Sequence, residues 1–156
     1  MKSDVLAGVP AVSKIDEVMF TITVYDDCPT EESAIIDQGI GDFNDMAAPL
    51  HEVQAISCFA KPDAGKVLGG AIGRIWGEYC ELQQLWVTSA HRQQGIGSQL
   101  LKAFEAHAKS LRCEHIYLET FSFQSPKFYV ANGYLVEYER RGFPHGIVKF
   151  HLAKRL

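Results

Sequence analysis

LWVTSAHRQQGIGS, residues Leu85 to Ser98, joins an apolar run to a long amphipathic one through a polar loop and two glycines. Beyond it, Gly95–Leu111 places Ile96, Leu100, Leu101, Phe104 and Ala108 at helical spacing. The first turn of such a helix leaves up to four backbone N–H groups without intrahelical partners. The aligned peptide dipoles put about half a positive charge at the same place. Glycine lets backbone approach a bulky anion closely, and Arg92 adds a planar cationic fork beside it. These parts make a cradle for a pyrophosphate. A glycine-rich helix start can also stand with nothing bound, so the flanking sequence has to decide.

Downstream, His115–Thr120 reads as a short strand. Strand, helix and strand form a β-α-β unit, which requires a right-handed parallel crossover. Upstream, Gln54–Ala60, Val67–Tyr79 and Glu81–Val87 read as strands joined by tight connections, hence an antiparallel meander. Pro62-Asp63-Ala64-Gly65 is the turn between the first two. A dinucleotide-binding unit of the Rossmann type would also use a glycine-rich cradle, with Glu119 at the end of the next strand as its ribose-binding acid. Three features oppose it. Leu100 stands at the third glycine position, seven residues separate Val87 from Gly95, and the preceding strands are antiparallel.

The rest of the chain extends this mixed α/β pattern. Val18–Tyr25 alternates as a strand. Thr30 offers a helix N-cap with Glu31 and Glu32 in the first turn, and Ile35, Ile36, Ile40 and Phe43 follow at helical spacing. That helix is expected to fray or break at Gly39–Gly41 and to end before Pro49. Ser125 caps a short helix to Ala131, closed at Asn132-Gly133. Leu135–Arg141 and Ile147–Leu152 are the closing strands, the last read as an edge through which two copies could form a homodimer. The sum is a mixed, mostly antiparallel sheet of about seven strands flanked by helices, with a central parallel β-α-β unit. At 156 residues the chain is expected to be a single domain, 1–156.

Composition narrows the classes. Apolar residues are 47% and charged residues 22%, as in soluble globular chains. No apolar run approaches the roughly 18 residues that span a bilayer, and the N-terminal stretch to Val12 is too short and interrupted for a signal peptide. Cys28, Cys58, Cys80 and Cys113 form no C-x-x-C pair and read as free thiols of a cytoplasmic protein. The six histidines show no metal-ligand spacing, so no metal site is expected. Residues 1–52 hold eleven acids against two bases, and residues 53–156 hold eight against thirteen. No basic stripe with interleaved aromatics appears, which argues against nucleic acid.

Arg92-Gln93-Gln94-Gly95-Ile96-Gly97, after a strand ending Leu85-Trp86-Val87, resembles the acetyl-CoA loop of the GNAT superfamily of N-acetyltransferases. Ser125-Pro126-Lys127-Phe128-Tyr129-Val130-Ala131-Asn132-Gly133-Tyr134 is similar to that family's second element, with Ser125 at its alanine position. The resemblance implies the GNAT fold and transfer of acetyl from acetyl-CoA to a primary amine by direct attack in a ternary complex. It implies cofactor contacts from Leu85, Trp86, Val87, Arg92, Gln93, Gln94, Gly95, Ile96, Gly97, Ser98, Ser122 and Ser125. At Ser122 many relatives carry asparagine. The N–H of Val87, freed by a bulge after Leu85, is the implied donor to the carbonyl oxygen. Tyr129 matches the tyrosine directed at the thioester sulfur. Glu81 is the candidate base, placed by strand alternation on the face of Gln83, Leu85 and Val87. Glu31, Glu32, Asp37, Asp42 and Asp45 would make an acidic lip that attracts a cationic small-molecule or peptide amine. A non-catalytic acyl-CoA-binding sensor on the same fold would keep the cradle without turnover.

Overall fold

A computed structural model describes residues 12–15, 18–62 and 65–156. The N-terminal stretch before Val12 and residues Asp63 and Ala64 of the turn lie outside the described residues. Contacts divide the chain into two compact units, residues 1–48 and 49–156.

In the first unit β1 (Val12–Ile15) pairs antiparallel with β2 (Val18–Thr21). The strand expected to reach Tyr25 stops at Thr21. Helix α1 (Thr30–Ala47) has Pro29 at its N-cap, and Ser33 donates both its N–H and its Oγ to the Pro29 carbonyl. The expected break at Gly39–Gly41 does not occur, because α1 runs unbroken to Ala47. Two glycines cost roughly 1 kcal/mol each relative to alanine, less than breaking the hydrogen-bond ladder of an 18-residue helix.

The second unit is one six-stranded sheet in the order β3-β4-β5-β6-β8-β7. Its elements are β3 (Gln54–Ala60), β4 (Gly69–Trp76), β5 (Tyr79–Val87), α2 (Ile96–Ser110), β6 (His115–Phe121), α3 (Pro126–Ala131), β7 (Leu135–Arg140) and β8 (Lys149–Arg155). One sheet holds six strands, not seven. The β3-β4-β5 meander is antiparallel, and β5 and β6 are parallel across α2. The last strand is not an edge: β8 lies between β6 and β7, so β7 is.

Strand alternation makes the core. Ala71, Gly73 and Ile75 of β4, Cys80 and Leu82 of β5, and Ile116, Leu118 and Thr120 of β6 face one side and are buried. Helix α2 covers that side with Leu100, Leu101, Phe104 and Ala108. Tyr134 anchors the helix to β8: its hydroxyl donates to Glu105 Oε1 at 3.0 Å, and Lys154 Nζ donates to Glu105 Oε2 at 2.7 Å.

The regularity fails at one point in β5. Gln84 pairs with Ile72 and Leu82 with Gly73, so Gln83 is an extra residue with no partner of its own. This is a β-bulge, and it lies before Leu85 instead of after it. A Cβ at Gly73 would collide with the Glu81 carbonyl, so the close approach at the bulge requires glycine there. Gly73→Ala is expected to destabilise the protein by about 1–3 kcal/mol, as overpacking does. The midpoint of denaturant unfolding measures it.

Candidate active site

The bulge decides which groups share a face. Cys80 and Leu82 point toward α2, and past Gln83 so do Leu85 and Val87, which pack against the core and beside Gly97. Glu81 therefore faces the opposite side from Leu85 and Val87. Strand alternation would put them on one face, but one inserted residue reverses the parity of everything after it.

The bulge also coincides with a split in the sheet. β5 pairs with β6 only at Tyr79–Glu81 against His115–Tyr117. Beyond Glu81 the two strands have no shared ladder. Thr88 N–H bonds the Leu68 carbonyl on the β4 side. Alternation then turns the N–H groups of Leu85 and Val87 toward the gap. A cleft of about 960 Å³ fills that gap. Its walls are Gln83–Val87 of β5, Glu119 and Thr120 of β6, the turn at Arg92, Gln93, Gly95, Gly97 and Ser98, and Phe123, Gln124, Ser125, Phe128 and Tyr129 around the start of α3.

The loop after β5 is held by its own bonds. Arg92 Nε donates to the Val87 carbonyl at 3.0 Å, and its two Nη groups make no hydrogen bond among the described residues. Thr88 Oγ1 and His91 Nδ1 lie 2.9 Å apart. Gly95 caps α2 in the left-handed region, at φ 81°. The first intrahelical bond shown there runs from Gln99 N–H to the Gly95 carbonyl, so the N–H groups of Ile96, Gly97 and Ser98 precede the ladder. Gly97 is different from Gly95. Its φ is ordinary, and a Cβ there would meet Phe128 and Val87 only at normal contact distance. The fold does not demand glycine at 97. A side chain would fill the cradle instead.

Tyr129 is buried, edge-on to Phe128 and Tyr134. Burial pushes its phenol up to about 12. Its hydroxyl has no protein hydrogen bond among the described residues. Glu119, on the β6 wall, is ion-paired to Lys149, and His151 Nδ1 lies 3.1 Å from its other oxygen. The hydrogen bond from Lys149, with the nearby charge of Lys149, His151 and Arg140, draws its carboxyl below the usual range against desolvation.

Most expected site residues meet in this cleft: Leu85, Trp86, Val87, Arg92, Gln93, Gly95, Gly97, Ser98, Ser125 and Tyr129 all line it. Gln94 does not; its amide donates to the Ala90 carbonyl. Ile96 contributes backbone at the helix start and is not a wall. Ser122 is not among the lining residues; its Oγ accepts from Val148 N–H and its own N–H donates to the Val148 carbonyl. Glu81 lines a second cleft beyond the bulge. Gln83, Gln84, Glu119, Thr120, Gln124 and Phe128 also line the cofactor cleft, beyond the residues the motifs imply. Alternation of β6 puts Glu119 and Thr120 on opposite faces, and only the gap at the strand's open end brings both to the cleft. No group of three or more His, Cys, Asp or Glu able to hold a metal occurs among the described residues.

Residues 18–134 match the profile of the acetyltransferase (GNAT) family. The chain belongs to that family. GNAT membership makes it an acyltransferase, with acetyl transfer as its reaction class. The chain is 32% identical over 111 residues to the blasticidin-S acetyltransferase of Streptomyces morookaense, which spans 70% of this chain and 79% of that protein. The GNAT fold recurs in an acetyltransferase from Bacillus cereus ATCC 14579, with a TM-score of 0.71, 29% identity, and coverage of 86% and 98% of the two chains. A further structure, from Bacillus anthracis str. Ames in complex with acetyl coenzyme A, aligns with a TM-score of 0.53 at 20% identity over 60% and 58% of the chains.

Two expectations follow from the GNAT loop and the tyrosine. Gly95→Ala should cost about 1–2 kcal/mol, the penalty of a left-handed alanine, whereas Gly97→Ala should be neutral or stabilising by up to about 1 kcal/mol. Denaturant unfolding of both variants separates them. Tyr129 holds its proton more tightly folded than unfolded, so its contribution to stability is full below pH 10 and falls as the pH rises through 10 toward 12. Unfolding midpoints measured across that window should drop with pH, and less steeply in Tyr129→Phe.

Proposed function

We propose that this protein is an acetyl-CoA-dependent N-acetyltransferase acting on a primary amine of a small molecule or peptide, with residues 1–156 working as one domain. The observation that carries it is the split between β5 and β6. There, free backbone N–H groups, the start of α2 and a buried tyrosine converge on one cleft.

The residues present suit the cofactor. The N–H groups of Ile96, Gly97 and Ser98, with the Nη groups of Arg92, hold its pyrophosphate. Gly95 sets the turn, Gln93 and Ser125 border the channel, and Trp86 supplies an exposed face beside it. Gln94 holds the loop through Ala90, and Ser122 holds the end of β6 through Val148. When bound, acetyl-CoA supplies the acetyl group as a thioester and departs as the thiol.

The chain's own groups do the remaining work. Val87 N–H, on the open edge of β5, donates to the carbonyl oxygen as charge gathers there. Glu81 would receive the ammonium proton through water, the freed amine lone pair would form the C–N bond as the C–S bond breaks, and the second proton shed by the nitrogen would pass to the departing sulfur. Tyr129 donates to the departing sulfur. Its phenol stays protonated throughout the neutral range. A thiol of ordinary pKa, about 8.5, is the stronger acid, so the phenol stabilises sulfur charge by hydrogen bonding, and the proton that completes the thiol comes from the acylated nitrogen, through the phenol, which regains its own. The acidic balance of residues 1–52 supports a cationic acceptor through long-range attraction.

Tyr129→Phe is expected to lower kcat by about 100-fold or more with the KM for acetyl-CoA changed little. Thiol release from acetyl-CoA over an amine panel measures both. Tight acetyl-CoA binding with no thiol release from any amine would replace this reading with that of a non-catalytic acyl-CoA sensor.

A further inference from the structure

The sheet face turned away from α2 carries a second cleft, of about 710 Å³, and no sequence motif pointed to it. Arg74 and Trp76 of β4, Tyr79 and Glu81 of β5, and Tyr117 of β6 line it, closed at one side by Leu50 and Val53. The first five are the outward positions of three neighbouring strands, so alternation alone brings them together. Trp76, Tyr79 and Tyr117 are 46%, 54% and 39% exposed, large aromatic surface gathered in one concavity. Tyr79 stacks on His115, with ring centroids 5.0 Å apart. None of the three cleft rings stacks on another among the described residues, so they do not fill the space by packing together.

The charge in this cleft is compensated. Glu81 Oε2 accepts from Arg74 Nε at 2.6 Å and from Gln83 Nε2 at 3.5 Å. Glu81 Oε1 accepts no hydrogen bond among the described residues, and the Nη groups of Arg74 make none. The second cleft also touches the first. Gln83, the bulge residue, lines the cofactor cleft while its amide reaches Glu81 in the other. An amine seated against the aromatic walls therefore lies next to the gap between β5 and β6.

We propose that this second cleft selects the acceptor, and that the acceptor carries its primary amine on a planar, unsaturated ring. The inference rests on the acetyl-transfer reading and names the substrate class for it. Three aromatic side chains, Tyr79 with one face already on His115, reward a flat ring by stacking and edge contacts, roughly 0.5–1.5 kcal/mol per pair beyond burial. A single free carboxylate oxygen suits one ammonium. The remaining Nη donors of Arg74 suit acceptor atoms on the ring. A polyamine would need several unpaired acids, and the one acid here is already shared with a guanidinium.

The test titrates the full-length protein with matched amines while following tryptophan fluorescence. 2-Phenylethylamine and an aminoethyl-substituted pyrimidine are the ring probes. 2-Cyclohexylethylamine is the saturated match, and spermidine and a lysine-bearing peptide represent the other classes. Ring probes are expected to change the emission and to bind at least tenfold tighter than the saturated match. The change should vanish in Trp76→Phe and the affinity should weaken in Tyr117→Leu, with both variants checked for unchanged circular dichroism. Equal binding of the ring and saturated amines, or tighter binding of spermidine or the peptide, overturns the proposal. Thiol release is scored separately: ring-selective binding without thiol release from any amine would remove the acetyl-transfer reading and leave ring selectivity standing.

Discussion

One inserted residue governs the working half of this molecule. A parallel pair of strands ordinarily continues its ladder, because every unpaired backbone N–H and C=O left away from water costs free energy. Here β5 and β6 share a ladder only up to Glu81 and Tyr117. At that point Gln83 bulges, β5 turns its later residues over, and the strands part. The open edge leaves polar backbone facing a gap where a polar ligand can satisfy it. Gly73 permits the crowding at the bulge, and Phe104 packs beneath it. The core under α2 stays continuous through Leu101, Phe104 and Ile116 while the sheet above it splits.

The same bulge separates two chemistries on one strand. Leu85 and Val87 side chains seal the bottom of the cofactor cleft against α2, whereas Glu81 and Tyr79 face the other side with Arg74 and Trp76. A uniform strand would have put the carboxylate among the core leucines, where an unpaired charge is costly. The partly exposed position pairs Glu81 Oε2 with the Arg74 guanidinium and leaves Oε1 without a hydrogen bond among the described residues.

Much of this was legible in the residues. The helix after Gly95, the meander before it and the strand at His115 follow from periodicity, and the left-handed helix start follows from the glycine at 95. The bulge was not, because Gln83 and Gln84 are both polar and either could be the extra residue. That ambiguity misplaced Glu81 by one face. Strand order was equally silent: two closing strands joined by a turn give no sign that the second slips between the first and β6. Gly39 and Gly41 suggested a break that α1 does not have, since local propensity is weaker than a ladder already formed. Ser122 sits where the motif expects a cofactor contact, yet it is absent from the cleft wall and its hydroxyl oxygen accepts from Val148 N–H, a partner 26 residues away that spacing could not reveal.

The anchoring of Arg92 through Nε has a mechanical side. With that nitrogen fixed on the last carbonyl of β5, the guanidinium plate is hinged like a latch at the strand's end. Whatever grips its outer edge therefore tugs on the backbone that borders the split. A lysine would have to make both contacts from one nitrogen, with no rigid plate between hinge and catch, so arrival of an anion at the loop would be passed to the strand less directly.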